Sequence, residues 1–280
     1  MEILRYAAFT DTPSGGNPAG VVLDARGATD AEMLAVAADL GYSETAFLTP
    51  TGERTWAVRY FSPKAEVPFC GHATIASAVA YAQRHGAGTL RLATAAGAVR
   101  VRTSGGEDGA FTATLTSVPP RTVPLADTDL TALLAALRWS IEDLDAALPP
   151  RVAYAGAWHP VLAAGTRRRL AELEYDYPAL AALMAARDWT TVDLVWRESA
   201  TLFHARNPFP PGGVVEDPAT GAAAAAFGGY LRELGLVAVP AALSVHQGVD
   251  LGRPSLLRVD IGADPAAGID VTGTAVPLPE

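Results

Sequence analysis

Two stretches decide the fold, because they read as versions of one pattern: Arg59-Tyr-Phe-Ser-Pro-Lys-Ala-Glu-Val-Pro-Phe-Cys-Gly-His-Ala-Thr74 and Arg206-Asn-Pro-Phe-Pro-Pro-Gly-Gly-Val-Val-Glu-Asp-Pro-Ala-Thr-Gly221. Phe61-x-Pro63 and Phe209-x-Pro211 are offset by 148 (209 − 61), and Tyr81 and Tyr230 by 149 (230 − 81), which reads as a one-residue slip. Each copy runs strand, turn, helix, with a helix of small residues at Ile75 to His85 and again at Ala222 to Leu234. A helix that is apolar on every side belongs inside a core. Its start presents unpaired N–H groups and a positive dipole end, an arrangement that takes an anion. The expected fold is α+β: two pseudo-symmetric lobes, each a curled, mostly antiparallel sheet around a central helix, with the helix starts facing each other across a cleft.

Working outward, Ile3 to Thr10 alternates as a strand, and Pro13 to Gly20 is a turn-rich connection before Val21-Val-Leu23. Thr29-Asp-Ala-Glu32 opens a helix that Gly41 ends. Tyr42 to Leu48 and Trp56 to Phe61 follow as strands, then Thr89 to Val101 and Ala110 to Leu115, joined by a turn at 105–109. The Pro-rich stretch Val118 to Pro124 is the expected lobe boundary. That divides the chain into residues 1–118, together with a last strand in 268–280, and residues 119–267. In the second lobe, helices are expected at Asp129–Leu137, Ser140–Leu148 and Pro178–Arg187. Strands are expected near Val152–Ala155, Pro160–Ala164, Val192–Trp196, Ala200–Ala205, Ala242–Gln247 and Ser255–Ile261.

Half of the 280 residues are apolar and the net charge is −9, which argues against nucleic acid as a partner. Arg167-Arg-Arg169, the basic run, reads as a solvated helix end. No segment reaches the roughly 18 apolar residues of a membrane helix, and Met1 to Tyr6 has no signal core. A single cysteine rules out an internal disulfide and a cysteine-built metal site, and the five histidines form no ligand pair on one helix face. No Gly-x-Gly-x-x-Gly follows a strand and there is no P-loop. The expectation is a cytoplasmic enzyme without metal or cofactor.

Glu44 taken alone is an ordinary strand-end acid. Its place after the helix-stopping Gly41, between Ser43 and Thr45 and ahead of Ala46-Phe-Leu48, would desolvate the carboxylate and raise its pKa, as a general base requires. Cys70 and His72 sit where the first central helix begins, and a thiol there is lowered in pKa. A two-cysteine racemase would need a second thiol, but the second copy offers Pro218 or Ala219 at the matching place. Cys70 then reads as a small buried residue, and His72 as either a core histidine or a pocket residue. Asp217 reads as an N-cap or as the second copy's polar group, and Glu216 as its solvated neighbour. With His72 on one helix start and Asp217 on the other, the pair would suit an asymmetric substrate.

Ser43-Glu-Thr-Ala-Phe47, Arg59-x-Phe-x-Pro63, Cys70-Gly-His-Ala-Thr74, Glu216-Asp-Pro-Ala-Thr-Gly221, Gly16-Asn-Pro-Ala-Gly20 and Gln247-Gly248 with Arg253 follow the order and spacing of one family. Over essentially its whole length the chain resembles the phenazine-biosynthesis (PhzF-like) isomerases, which are similar in fold to diaminopimelate epimerase and proline racemase. The resemblance implies a cofactor-free isomerase that moves a proton and a double bond in a small carboxylate, and homodimers are usual in that family. It implies Glu44 as proton shuttle, His72 and Asp217 beside the substrate's polar groups, and the amides of Gly71–His72 and Thr220–Gly221 on its carboxylate. Asn17, Ala73 and Ala222 complete the implied substrate-binding set. Ala222 stands where the family often has Ser. Two other readings stay open: an epimerase or racemase using Cys70 with Glu44, and a non-catalytic binder of small carboxylates.

Overall fold

The computed structural model describes residues 1–106 and 109–279. The turn expected at 105–109 therefore lies partly outside the described residues. The chain divides into two compact units, Met1–Thr116 with Thr272–Glu280, and Ser117–Val271.

In the first unit the strands are β1 (Leu4–Ala8), β2 (Asn17–Val22), β3 (Glu44–Gly52), β4 (Thr55–Phe61), β5 (Glu66–Val67), β6 (Gly88–Thr94), β7 (Gly97–Gly105) and β8 (Phe111–Thr116). Its helices are α1 (Asp30–Leu40) and α2 (Gly71–His85). Neighbours run β1–β2–β3–β4–β6–β7–β8, antiparallel except for β2–β3 and β4–β6. The last strand of the chain, Asp270–Pro277, pairs with both β1 and β8 and closes the ring. Inside it lies α2, packed on β1, β2, β3, β7 and β8. Alanine at 73, 76, 78, 80 and 82 favours the helix and keeps it thin enough to be enclosed. Ile75 and Val79 are buried from it, each worth about 1.5–3 kcal/mol. The polar residues of its first turns are satisfied locally, Thr74 Oγ1 donating to Cys70 O (2.6 Å) and Ser77 Oγ to Ala73 O (2.7 Å). Outside, α1 carries a capping box, Thr29 with Glu32, and buries Met33 and Ala37.

The second unit repeats the plan. Its strands are β9 (Arg121–Pro124), β10 (Arg151–Tyr154), β11 (Trp158–Ala163), β12 (Asp193–Arg197), β13 (Leu202–Pro208), β14 (Glu216–Asp217), β15 (Ala241–Gln247) and β16 (Ser255–Ile261). The chain's last strand is β17 (Asp270–Pro277), and the helices are α3 (Asp127–Leu137), α4 (Arg167–Ala171), α5 (Tyr177–Arg187) and α6 (Gly221–Glu233). Neighbours run β9–β10–β11–β12–β13–β15–β16, parallel at β11–β12 and β13–β15 as at the matching places of the first unit. Buried α6 packs on β9, β10, β11 and β16, close enough that a Cβ at Gly229 would collide with the Pro120 ring. An apolar cluster lies under α3 and α5, around Leu133, Leu137, Leu162, Leu180, Met184 and Leu194.

Several local expectations change. Thr89–Val101 is not one strand but two, broken before Gly97, whose φ of 121° suits glycine. Ser140–Leu148 holds only a 3-10 turn, Ile141–Asp143, because Asp145 N–H pairs with Ala163 O and prolines follow at 149 and 150. Val118–Pro124 is not simply a connection, since β9 forms there and pairs with β10. The basic run is a short helix of its own, capped by Thr166, with Arg167 paired to Asp250 (2.8 Å).

Candidate active site

The ladders give the true correspondence of the two copies. Tyr60 pairs with Val67 in the first hairpin, and Asn207 with Asp217 in the second. The register is 147 before the turn (207 − 60) and 150 after it (217 − 67). The second turn is thus three residues longer, which corrects the one-residue slip. From the turn onward Glu66 matches Glu216, Val67 matches Asp217, Cys70 matches Thr220, Gly71 matches Gly221 and His72 matches Ala222. Cys70 therefore has Thr220 as its counterpart rather than Pro218 or Ala219, and Asp217 is not the counterpart of His72.

In the first unit, β3 begins with Glu44 and α2 begins just beyond Cys70, and their ends bring three reactive side chains together. His72 Nε2 lies 3.5 Å from Glu44 Oε2 and 3.4 Å from Ser43 Oγ. Cys70 Sγ lies 3.5 Å from Glu44 Oε2 and 3.3 Å from His72 Nδ1. His72 and Cys70 are buried, and the Glu44 side chain is 14% exposed, enough to reach a bound molecule. The Cys70 thiol donates to Glu44 Oε2, and the two ring nitrogens of His72 face Ser43, Cys70 and Glu44, with donor and acceptor roles set by the tautomer.

The N-cap of α2 is Cys70, whose side chain makes no capping bond to the helix. The helical ladder begins with Thr74 N–H to Cys70 O (3.1 Å), so the amides of Gly71, His72 and Ala73 precede it. Ala73 is fully buried and can offer a ligand only its backbone. Asn17 is also buried, as the first residue of β2, paired in the ladder with Ala8.

In the second unit, Asp217 is buried and accepts from Thr220 Oγ1 (2.6 Å). Gln247 ties this corner together. Its Nε2 donates to Asp217 O (2.7 Å) and Thr220 Oγ1 (2.9 Å), and its Oε1 accepts from Thr220 N–H (3.0 Å). The Thr220 amide is thus already engaged, contrary to the expectation that it holds a carboxylate. Gly221 and Ala222 keep their amides ahead of the first helical bond, Ala224 N–H to Thr220 O (3.0 Å). Asp217 does not cap α6 either. Glu216 is no solvated neighbour: it is buried in a two-pronged ion pair with Arg206, with Arg206 Nε donating to Oε2 at 2.9 Å.

Sequence reasoning set Cys70 beside Glu44 only in the racemase alternative, and it missed the contact of Cys70 with His72 and the role of Gln247. The signal for Gln247 is a polar residue in the inward phase of β15 just before Gly248. That glycine has φ 72°, and a Cβ there would strike the carbonyls of Arg253 and Pro218.

The sequence matches the family of phenazine biosynthesis-like proteins over residues 6–280. The uncharacterized isomerase YfhB of Bacillus subtilis is 32% identical over 287 residues, covering 98% of this chain and 96% of its own length. The trans-2,3-dihydro-3-hydroxyanthranilate isomerase of Pseudomonas chlororaphis is 30% identical over 274 residues, covering 96% and 94%. A PhzF-family phenazine biosynthesis protein of Bacillus anthracis has a similar structure, with TM-score 0.88, 25% identity and 100% and 98% covered. A probable proline racemase from Agrobacterium radiobacter shares the fold alone, with TM-score 0.66, 14% identity and 98% and 90% covered. No helix among the described residues is long and apolar enough to cross a membrane.

Proposed function

The chain belongs to the phenazine biosynthesis-like protein family and is an isomerase, and from that premise we propose that it moves a proton and a double bond within a small unsaturated carboxylate, with Glu44 as acid and base and with no cofactor. The observation that carries this reading is the Glu44 carboxylate held against His72 at the start of α2. The substrate's carboxylate would lie on the amides of Gly71, His72 and Ala73, where the helix end favours negative charge. Glu44 takes a proton from a carbon made acidic by conjugation, and the electron pair spreads into the adjacent double bond. The same carboxyl group then returns the proton to a different carbon. Protons and electrons balance, so the step needs no redox partner. Asp217, Gly221 and Ala222 are proposed to contact the substrate's polar groups. A homodimer in the cytoplasm is part of the same reading, on the family resemblance alone.

A racemase using Cys70 and Glu44 as opposed bases is disfavoured. Two bases that act on opposite faces of a carbon must have that carbon between them, and these groups are 3.5 Å apart. The counterpart of Cys70, Thr220, spends its hydroxyl on Asp217.

The test uses trans-2,3-dihydro-3-hydroxyanthranilate and a set of related unsaturated carboxylates in deuterated water, followed by NMR. Glu44→Gln should lower kcat by about 10²–10⁴-fold, the worth of general acid–base catalysis. Turnover at the parent rate would sink the role of Glu44. A parent protein that binds these acids and exchanges no hydrogen would instead be a carboxylate binder.

A further inference from the structure

We infer that Glu44, Cys70 and His72 also form a binding site for a soft divalent cation, best matched by Zn²⁺, and that a cation bound there switches the isomerase off. The three side chains supply one sulfur, one nitrogen and one oxygen, all within 4.8 Å of one another. Taking Nε2 of His72 as ligand, the separations are 3.8 Å from Cys70 Sγ, 3.5 Å from Glu44 Oε2, and 3.5 Å between the sulfur and that oxygen. A tetrahedral zinc with bonds of about 2.0–2.3 Å spaces its ligands by about 3.3–3.7 Å. The separations match, but the sulfur also lies 3.3 Å from Nδ1, so the imidazole has to turn within the cluster to aim Nε2 at a shared cation.

The donor types select the metal. Thiolate and imidazole favour zinc, whereas magnesium and calcium require oxygen ligands. Three protein ligands leave a fourth tetrahedral position for water or an anion. The backbone is already ordered for the task, Cys70 and His72 at the start of the enclosed α2 and Glu44 at the start of β3. Binding forms a sulfur–metal bond and releases the thiol proton to buffer, with no change of oxidation state. The sequence criterion of paired ligands on one helix face could not find this site, because it joins Cys70-x-His72 to a residue on another element.

Inhibition follows because the metal takes the Glu44 carboxylate that the reaction uses, and this half of the inference rests on the proposed function. Binding itself does not. Cys70 is the chain's one cysteine, so a thiolate-to-cobalt charge-transfer band in the near ultraviolet can report only this site. Metal-free protein titrated with Co²⁺ should develop the band to one equivalent per chain, and Zn²⁺ should displace it. Loss of a group that merely supports a ligand costs 10–100-fold in affinity, so His72→Ala and Glu44→Gln should each weaken binding at least about tenfold. Both variants are checked for native circular dichroism. No band with cobalt in excess, or one whose affinity neither substitution changes, overturns the site. Zn²⁺ should abolish turnover and a chelator restore it. Metal binding without loss of turnover would overturn the inhibition and with it the catalytic use of Glu44, while leaving the site standing.

Discussion

On the parallel ladder of the first unit, Glu44 of β3 stands beside Ala19 of β2. The same rung of the second unit holds Thr191 beside His159, since Val21 with Ala46 matches Val161 with Asp193. One backbone plan thus carries an accessible acid in one copy and a closed polar knot in the other. Thr191 Oγ1 bonds to His159 Nδ1 at 2.8 Å. With the Asn207 amide oriented to satisfy its neighbours, its Oδ1 accepts from Thr191 at 3.0 Å and its Nδ2 donates to Asp193 at 3.1 Å. The Arg–Glu pair beside each central helix divides the same way. Arg59 and Glu66 are more than a third exposed, while Arg206 and Glu216 are 9% and 6% exposed. The difference teaches that duplication preserved the frame, and that the first copy kept Glu44 and its Arg–Glu pair partly exposed while the second turned the matching groups inward.

The ion pairs give the largest test of that contrast. Arg206 also donates to the carbonyl of Ala171 (2.7 Å), and Arg206→Ala leaves Glu216 buried without its partner. The expected loss is about 3–5 kcal/mol, as for other broken buried pairs. Arg59→Ala breaks the matching pair in solvent and should cost no more than about 1 kcal/mol. Denaturant midpoints measure both, and equal losses would erase the distinction between the copies.

The knot supplies the next. Burial pushes Asp193 up to about 7, opposed by its hydrogen bond from Asn207, and pushes His159 down to about 4. Between about pH 4 and 7 folded Asp193 holds a proton that the unfolded chain has lost, so its contribution to stability falls as pH rises through that window. His159 acts in the opposite sense. The unfolded chain binds its proton first, so stability falls as pH drops from about 6.5 to about 4. In the parent the two slopes oppose each other. Asp193→Asn removes one, and should be more stable than the parent at pH 8 by about 1–3 kcal/mol, while losing stability on acidification more steeply. Thermal melts across pH 4–8 check this. Parallel profiles for the two proteins would show that Asp193 does not titrate as its burial requires. In the first unit the place of Asp193 is taken by buried Ala46.

Much of this is legible in the sequence. The two helices rich in alanine were readable as core elements because no face of either is polar. The duplicated Arg-to-Gly pattern marked where they begin, and Glu44 could be singled out between Gly41 and an apolar run. Register across a turn was not legible, because a turn of any length satisfies the same strand periodicity. Only the ladders show that Asp217 matches Val67 and that Thr220 matches Cys70. The Glu44–Cys70–His72 cluster and the Gln247 clamp join residues far apart in the chain. Such contacts depend on tertiary packing, and spacing along a sequence carries no record of them.

The smallest test falls on the second residue of each central helix, His72 in one copy and Ala222 in the other. Ala222 is partly exposed, so a side chain there has room to reach a ligand. Ala222→Ser adds a hydroxyl beside amides that stand ahead of the helical ladder, without displacing the Thr220–Asp217–Gln247 network. A neutral hydrogen bond is worth about 0.5–1.5 kcal/mol net. If Ala222 contacts a bound carboxylate, the substitution should lower KM by about two- to tenfold and leave kcat nearly unchanged, because a bond made equally in ground and transition states changes binding alone. A change in kcat with constant KM would mean that the hydroxyl acts only as charge develops, giving the second copy a part in the chemistry that its buried network otherwise argues against. No change in either constant would place Ala222 outside the substrate's reach and narrow the binding residues to the first unit's helix start.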